Sequence, residues 1–207
     1  MTASTGGSSA GAGAGSNTAA PDGSLAGTAV RIVRLAPADW QVHRELRLEA
    51  LRNAPEAFGA TYADNAAYDE ATWRARLEAI TYWQARRGQE PVGMVGLWEP
   101  VLELADVPDG VEPGEVVPFL IAMYVRDSSR GQGVGEELVR TLLEEARSRG
   151  HARVALDVTS TNPFATALYV RLGFTPVDDL QRSGRRGGAG ATCEVTLVCD
   201  VSAPASR

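Results

Sequence analysis

A glycine-rich segment in the middle of the chain combines residue types that could hold a phosphate. It reads RDSSRGQGVG from Arg126 to Gly135, between an apolar, strand-like run and an amphipathic helical pattern. Glycines at alternate positions let the backbone approach a ligand closely, and the first turn of the following helix has unpaired N–H groups with about half a positive charge. These features together predict a site for a phosphate-bearing ligand.

The spacing of the glycines excludes two common phosphate-binding loops. A P-loop would need a lysine after the glycines, and the chain contains none. A dinucleotide fingerprint would need a third glycine where the sequence has Glu136. The predicted phosphate site is therefore of neither kind.

A second segment further along the chain also has a distinctive spacing. It reads NxxAxxxY at 162–169 and is followed by Leu-Gly-Phe at 172–174. Together with RxxGxG at 130–135, it resembles the two acetyl-CoA segments of the Gcn5-related N-acetyltransferase family. The resemblance is strong over residues 119–174, and residues 47–60 are similar to the acceptor-side helices of many members.

The resemblance implies that the chain transfers an acetyl group from acetyl-CoA directly to an amine. In the family, the fourth and fifth strands separate and the pantetheine arm of CoA lies between them, hydrogen-bonded to exposed backbone. The backbone that would hold the pantetheine here belongs to Met123, Tyr124 and Val125. The residues that would hold the pyrophosphate are Arg130, Gly131, Gln132, Gly133, Val134 and Gly135, with the N–H of Glu136. Asn162 would cap its helix and contact the pantetheine, and Ala165 would keep that helix thin enough for CoA to pass.

Tyr169 is the candidate catalytic residue in this interpretation. When an amine attacks the thioester, the departing CoA thiolate needs a proton or a hydrogen bond, and a phenol with a pKa near 10 can donate one while un-ionised at neutral pH. The alternative is a tyrosine that only packs on the inner face of a short helix. We expect no covalent intermediate, because neither cysteine lies near the motifs and no Ser-His or Cys-His pairing is visible.

The sequence does not identify the base that removes the proton of the amine. A primary amine with a pKa near 10.4 is almost entirely protonated at pH 7, so its deprotonation matters. Some members of the family use a carboxylate on the fourth strand, but residues 116–125 contain no acid. Glu115, Asp157 and Glu99 are unranked candidates.

Hydrophobic periodicity predicts the elements that position these residues. The predicted strands are 29–36, a hairpin over 81–99, an apolar strand over 116–125 that is covered on both faces, 152–160 and 192–201. The predicted helices are 37–53, 69–80, 133–149 and a short one capped by Asn162 and closed by Gly173. With the resemblance, we expect an α/β (α+β) fold in which a mostly antiparallel sheet opens into a V with helices on both faces.

Composition sets the expected organisation of the chain. We expect one domain over 28–201, between a flexible Gly/Ala/Ser-rich tail at 1–27 and a short tail at 202–207. The net charge of -6 over 207 residues argues against nucleic-acid binding, and no apolar stretch is long enough to span a membrane. Cys193 and Cys199 lie too far apart along one strand for a disulfide and form no zinc spacing with the two histidines, so we expect a cytoplasmic protein without a metal.

Several functional questions stay open at this level. The amine acceptor could be a small molecule, a free amino acid or a peptide terminus. The rival functions are a CoA-binding sensor or interaction module without turnover, and an N-acyltransferase that uses a longer acyl-CoA. Homodimers are common among proteins that this chain resembles.

The remaining aromatic and histidine side chains have simple predicted roles. We expect Trp83 and Trp98 to pack on the sheet, with an acceptor pocket as the alternative, and Tyr62 could reach the acceptor. His43 lies in a helix rich in Arg and Glu, so we expect it on the solvated surface. His151 opens a strand and is expected to be exposed.

Overall fold

The computed structural model describes residues 29–100, 117–177 and 194–202. Within these ranges the strands are β1 Val30–Arg34, β2 Thr81–Arg87, β3 Glu90–Trp98, β4 Phe119–Val125, β5 Arg153–Thr159, β6 Thr175–Pro176 and β7 Glu194–Asp200. The α-helices are α1 Trp40–Asn53, α2 Tyr62–Ala66, α3 Glu70–Ala79, α4 Val134–Ser148 and α5 Pro163–Arg171. The predicted strands and helices occur in the predicted order, and the structure adds the short elements α2 and β6.

The seven strands form one mixed sheet in the order β1-β2-β3-β4-β5-β7-β6. Its neighbouring strands are antiparallel except for β4 and β5, which are parallel and pair only at Phe119 and Ala155. The Ala155 N–H donates to the Pro118 carbonyl oxygen at 2.9 Å at this closed end. Beyond this point β4 and β5 diverge, which confirms the expected V-shaped opening.

A β-bulge bends β4 within the open part of the V. Met94 of β3 faces Tyr124, whereas Gly96, two residues on, faces Ile121, so β4 has one extra residue. Ala122, inside the bulge, has a φ of 55°, in the left-handed region that residues with a side chain rarely adopt. The bulge makes β4 bend at its centre.

Helix α4 covers one face of the sheet with the apolar stripe that its sequence predicts. The six side chains of that stripe are all buried: Val134, Leu138, Val139, Leu142, Leu143 and Ala146. Gly150 ends the helix at a φ of 83°. The N–H groups of Gly150 and His151 donate to the carbonyls of Arg147 and Ala146, the Schellman pattern that left-handed glycine permits.

Helices α1 and α3 cover the other face, and there one expectation is wrong. His43 of α1 is only 1% exposed and its ring packs against the rings of Trp73 and Tyr82. The neighbouring charged residues suggested a solvated helix. However, His43 lies one turn from Leu46 and two turns from Ala50, so helical spacing turns it toward the sheet with these buried residues.

Candidate functional site

The glycine-rich segment forms the turn that joins β4 to α4, at the open end of the V. A 3-10 turn over Asp127–Ser129 leads into Gly131 and Gly133, which have φ values of 70° and 80°. A Cβ at either glycine would meet no atom within 4 Å, so both glycines are required by backbone conformation and not by crowding. The space beside the turn is open to a ligand.

The first turn of α4 adds hydrogen-bond donors to this opening. The first helical hydrogen bond runs from the Glu137 N–H to the Gly133 carbonyl, so the N–H groups of Val134, Gly135 and Glu136 have no acceptor within the helix. Gly133 is the N-cap and has no side chain to satisfy them. Unpaired N–H groups at the positive end of a fifteen-residue helix favour an anion such as a pyrophosphate.

The side chains of the turn brace it. Arg130 donates through Nε to the Val125 carbonyl at 3.0 Å and forms an ion pair with Asp127 at 2.8 Å. Gln132 donates to the Ser128 carbonyl at 2.9 Å and accepts from Arg87 at 2.6 Å. Both residues are predicted to contact the pyrophosphate, which stays a prediction. The structure shows that they brace the turn.

Two further residues of the predicted phosphate segment have packing roles. The Val134 side chain is buried in the core, so only its backbone can face a ligand. A Cβ on Gly135 would lie 3.1 Å from Met123 Cε and 3.3 Å from Leu168 Cδ2. Glycine at this position therefore lets α4 approach both β4 and α5, which brings the two sequence motifs together.

The part of β4 beyond the closed end has no strand partner on the β5 side among the described residues. β4 was expected to be covered on both faces, and its side chains do pack into apolar clusters on both faces, but most of them are only partly buried. Leu120 and Tyr124 are buried, but the other five residues of the strand, including Met123 and Val125, are only partly so. The reason is the divergence from β5, which leaves the side of β4 uncovered where the pantetheine arm was predicted to bind.

Helix α5 lies on the other side of the opening, with its predicted cap. The Asn162 Oδ1 accepts a hydrogen bond from the Ala165 N–H at 3.0 Å, and Pro163 occupies the first helical position. The helix ends at Gly173, whose φ is 93°. The cap predicted from the sequence is confirmed, while the contact of Asn162 and Ala165 with CoA is still a prediction.

Tyr169 is held firmly at the end of α5. The Phe174 N–H donates to the Tyr169 carbonyl at 3.0 Å, and the two rings pack edge to face with centroids 5.6 Å apart. Tyr169 is 5% exposed, and burial raises the pKa of its phenol well above the usual value. The hydroxyl therefore keeps its proton at neutral pH and is available as a donor.

The three candidate bases have different surroundings. Glu99 lies next to the closed end of the V, where it accepts from Arg149 and contacts His151 Nε2 at 2.6 Å. His151 is accordingly paired and only partly exposed. Asp157 on β5 is exposed and accepts from Thr196 Oγ1 at 2.7 Å, and Glu115 lies outside the described residues.

An ion-pair network that sequence reasoning missed ties α1 to the end of β4. Arg126 donates to both carboxylate oxygens of Glu49, at 2.8 and 2.7 Å, and to Glu90 at 2.7 Å. The Tyr124 hydroxyl donates to Glu49 at 3.2 Å and accepts from Asn53 at 3.1 Å. Hydrogen bonds from Arg126 are the main cause that lowers the pKa of Glu49. Because Glu49 and Arg126 are 77 residues apart, no local spacing could have revealed their contact.

The aromatic candidates for an acceptor pocket lie on different faces. Trp83 is buried against the α4 side of the sheet, so it packs there as expected. Trp98 packs against the apolar cluster on the opposite face, as Ile121 does. Tyr62 is exposed at α2, where its hydroxyl accepts from Arg52 at 2.9 Å.

Within the described ranges, no helix is long and apolar enough to cross a membrane. No group of three or more His, Cys, Asp or Glu side chains in the same ranges is arranged to hold a metal ion.

Comparison with known proteins agrees with this architecture. The family model described as Acetyltransferase (GNAT) family matches residues 42–174. N-acetyltransferase 8F1 of Rattus norvegicus is 32% identical over 106 residues, which are 51% of this chain and 42% of that protein. The L-methionine sulfoximine/L-methionine sulfone acetyltransferase of Pseudomonas paraeruginosa is 38% identical over 68 residues, which are 32% of this chain and 39% of that protein. The chain thus spans less than half the length of these curated relatives.

A solved structure shows the same fold. The structure of yncA from Salmonella typhimurium with its cofactor acetyl-CoA superposes with a TM-score of 0.62 at 18% identity, covering 87% of this chain and 98% of that one. The mixed sheet that opens between β4 and β5 is therefore an acyl-CoA N-acyltransferase fold. Since the family match covers more than half of the sequence, the chain belongs to the acetyltransferase (GNAT) family.

Proposed function

We propose that this protein is an N-acetyltransferase that moves the acetyl group of acetyl-CoA directly to an amine. The observation that carries the proposal is the β4–α4 turn, where left-handed glycines and unpaired N–H groups meet the opening between β4 and β5. Family membership and the activities named for the curated relatives support it.

The residues fit acetyl-CoA in the order of its chemical groups. The pyrophosphate would lie on the backbone of 131–136, with Arg130 beside it. The pantetheine would extend along the β5 side of β4 at Met123, Tyr124 and Val125, where β4 has no strand partner among the described residues, with Asn162 and Ala165 on its other side. This arrangement directs the thioester into the V, toward Tyr169 and the bulge at Ala122.

In the reaction, the amine nitrogen attacks the thioester carbonyl carbon, a C–N bond forms, and the C–S bond breaks. The CoA thiolate leaves with the electron pair of that bond, while the amine gives up a proton to solvent or to a base. Tyr169 stabilises the thiolate by donating its hydroxyl hydrogen bond or proton to sulfur. Because burial raises the pKa of Tyr169, the hydroxyl is protonated whenever the thiolate forms.

The decisive experiment measures release of free CoA thiol from acetyl-CoA with a panel of amines, beside CoA binding by calorimetry. The proposal expects CoA binding together with amine-dependent thiol release and a mass gain of one acetyl group on the amine. CoA binding without thiol release for any amine would instead support the CoA sensor. Absence of CoA binding would overturn both functions.

The finer expectations also belong to the proposal. A longer acyl-CoA would replace acetyl-CoA if thiol release were faster with propionyl-CoA or butyryl-CoA. The cytoplasmic location, a homodimer, the lack of a metal, and the lack of nucleic-acid and membrane partners stay predictions from the sequence. Light scattering during size-exclusion chromatography tests the homodimer directly.

A further inference from the structure

Arg47 of α1 is a buried cation without an ion-pair partner among the described residues. The residue is only 7% exposed, and its Nη1 atom is buried with no hydrogen-bond acceptor. Its guanidinium carbon lies 4.6 Å from the centroid of the Phe58 ring. Burial of an unpaired charge is strongly unfavourable, so buried arginines normally have a carboxylate partner. Arg126, paired with Glu49, shows the usual arrangement in this same protein.

In the described part of the chain, the surroundings of Arg47 add the positive charge of Arg76 and no carboxylate that acts on its pKa. Burial is the main cause that lowers the pKa of Arg47, and Arg76 lowers it further. The groups that oppose this shift are the phenols of Tyr82 and Tyr68. Burial, Arg47 and Arg76 lower the pKa of His43 to about 3, so His43 is neutral. The local potential is therefore positive, although the chain has a net charge of -6.

The position of Arg47 places this potential on the side of β4 that is opposite α4. His43, one turn before Arg47, has its ring 4.3 Å from that of Tyr82. Tyr82 belongs to the apolar cluster against which Ile121 and Ala122 pack at the β4 bulge. Arg47 is thus connected through two side chains to the place where the thioester would lie.

We propose that Arg47 binds a carboxylate of the acceptor, so that the substrate is an amino acid or another small amine that bears a carboxylate. This inference rests on the proposed acetyl transfer and specifies its acceptor. A carboxylate would supply the missing counter-charge, and the planar guanidinium can bind it through two parallel hydrogen bonds. Phe58 would keep the guanidinium plane in place by stacking.

The test compares acceptors that differ only in the carboxylate: L-methionine with L-methioninamide, and L-leucine with L-leucinamide. Thiol release is measured for wild type, Arg47→Met, Arg47→Lys and the control Arg44→Met, which removes a partly exposed arginine of the same helix. We expect wild type to prefer the acids. Arg47→Met should raise the KM for the acids about 30- to 5000-fold, the range found when one partner of a buried charge pair is removed. Activity on the amides should change less than threefold, and Arg44→Met should behave as wild type.

A binding experiment supports the kinetic one. Stabilisation of the CoA-loaded protein by each acid and each amide is measured as a shift in Tm. The acids should raise the Tm of wild type but not that of Arg47→Met. Because that variant loses an unpaired buried charge, its own Tm should be no lower than that of wild type. If it fails to fold, the preference of wild type for acid over amide, and the intermediate affinity expected of Arg47→Lys, decide the question.

The outcomes separate this inference from the proposed function. Thiol release with amides as fast as with acids would overturn the role of Arg47 while acetyl transfer stands. Equal acid preference in wild type and Arg47→Met would do the same. If none of the amines gave thiol release, but the acids still stabilised the protein in a way that needs Arg47, acetyl transfer would be overturned and the carboxylate site would stand.

Discussion

The two faces of the sheet bury different kinds of side chain. The face under α4 is a continuous apolar core that also includes Trp83, Tyr169 and Phe174. The face under α1 and α3 divides its apolar residues between two smaller clusters and buries the polar side chains of His43, Arg47 and Gln84. In the proposed function, backbone groups and one phenol on the α4 face bind CoA, whereas side chains on the α1 face bind the acceptor. This difference is what a shared co-substrate and a particular acceptor would require.

The largest expected effect tests whether the reacting hydroxyl belongs to the α4 face. Tyr169→Phe removes the hydroxyl from that face and keeps the ring that packs on Phe174. A placed general acid is worth about 10²- to 10⁴-fold, so kcat for thiol release should fall by that factor while CoA affinity stays within about threefold.

The matched control removes a buried hydroxyl from the other face. Tyr82→Phe keeps the ring that lies over Gly96, and kcat should stay within about threefold of wild type. Equal losses of kcat in both variants would mean that Tyr169 acts only by packing.

The next effect compares the stability of the two cores. Leu142 of α4 and Leu46 of α1 are almost fully buried. Replacing Leu142 by Ala should lower the free energy of unfolding by about 2–5 kcal/mol, because a cavity inside one large cluster collapses poorly. For Leu46→Ala, the loss of unfolding free energy should lie at the low end of the same range, because the smaller cluster around Leu46 can relax into the cavity. Urea unfolding checks both values, and a larger loss for Leu46→Ala would contradict the comparison.

The Glu49–Arg126 ion pair on the α1 face should make the free energy of unfolding depend on pH. Arg126 holds the pKa of Glu49 below its usual value, so Glu49 contributes stability above the unfolded pKa of about 4.3 and loses that contribution as pH falls through its lower folded pKa. Glu49→Gln should therefore cost about 1.5–3 kcal/mol at pH 7, the usual worth of hydrogen bonds to a charged group. The cost should shrink below about pH 4.

Urea unfolding at several pH values measures this dependence. The control, Glu45→Gln, changes an exposed carboxylate of the same helix and should shift stability by less than about 0.5 kcal/mol at any pH. If the loss of unfolding free energy in Glu49→Gln did not change with pH, the Glu49–Arg126 ion pair would not have this role.

The same contrast explains which parts of the structure could be predicted. Periodicity identified the α4 stripe correctly, since local spacing alone decides which residues of a helix share a face. The caps of α5 and the β4–α4 turn were also predictable, because Asn162, Gly133 and Gly173 act within a few residues of their own position.

The α1 face was not predictable in the same way. The environments of His43 and Arg47, and the pairing of Glu49 with Arg126, depend on contacts between segments far apart in sequence. The bulge in β4 falls on Ala122, a residue type with no preference for a left-handed conformation. No pattern in residues 116–125 therefore indicated that the strand would be only half covered.

The smallest effect isolates the contribution of backbone conformation at the CoA turn. Gly133 has a φ of 80°, and a Cβ there would meet no atom within 4 Å, so Gly133→Ala adds conformational strain without a steric clash. A left-handed alanine costs about 1–2 kcal/mol, and the turn can avoid this cost by shifting its N–H groups away from the opening. We expect the free energy of unfolding to fall by that amount. The CoA affinity, measured by calorimetry, should also fall.

Gly59→Ala is the matched control, in the segment that follows α1. Gly59 also has no atom within 4 Å of an added Cβ, but its φ is not positive. Alanine should therefore leave CoA affinity unchanged and stability unchanged or raised by up to about 1 kcal/mol, because it narrows the unfolded ensemble. If Gly133→Ala bound CoA as tightly as Gly59→Ala, the left-handed turn would not be what holds the co-substrate, and the α4 face would have to bind it through side chains instead.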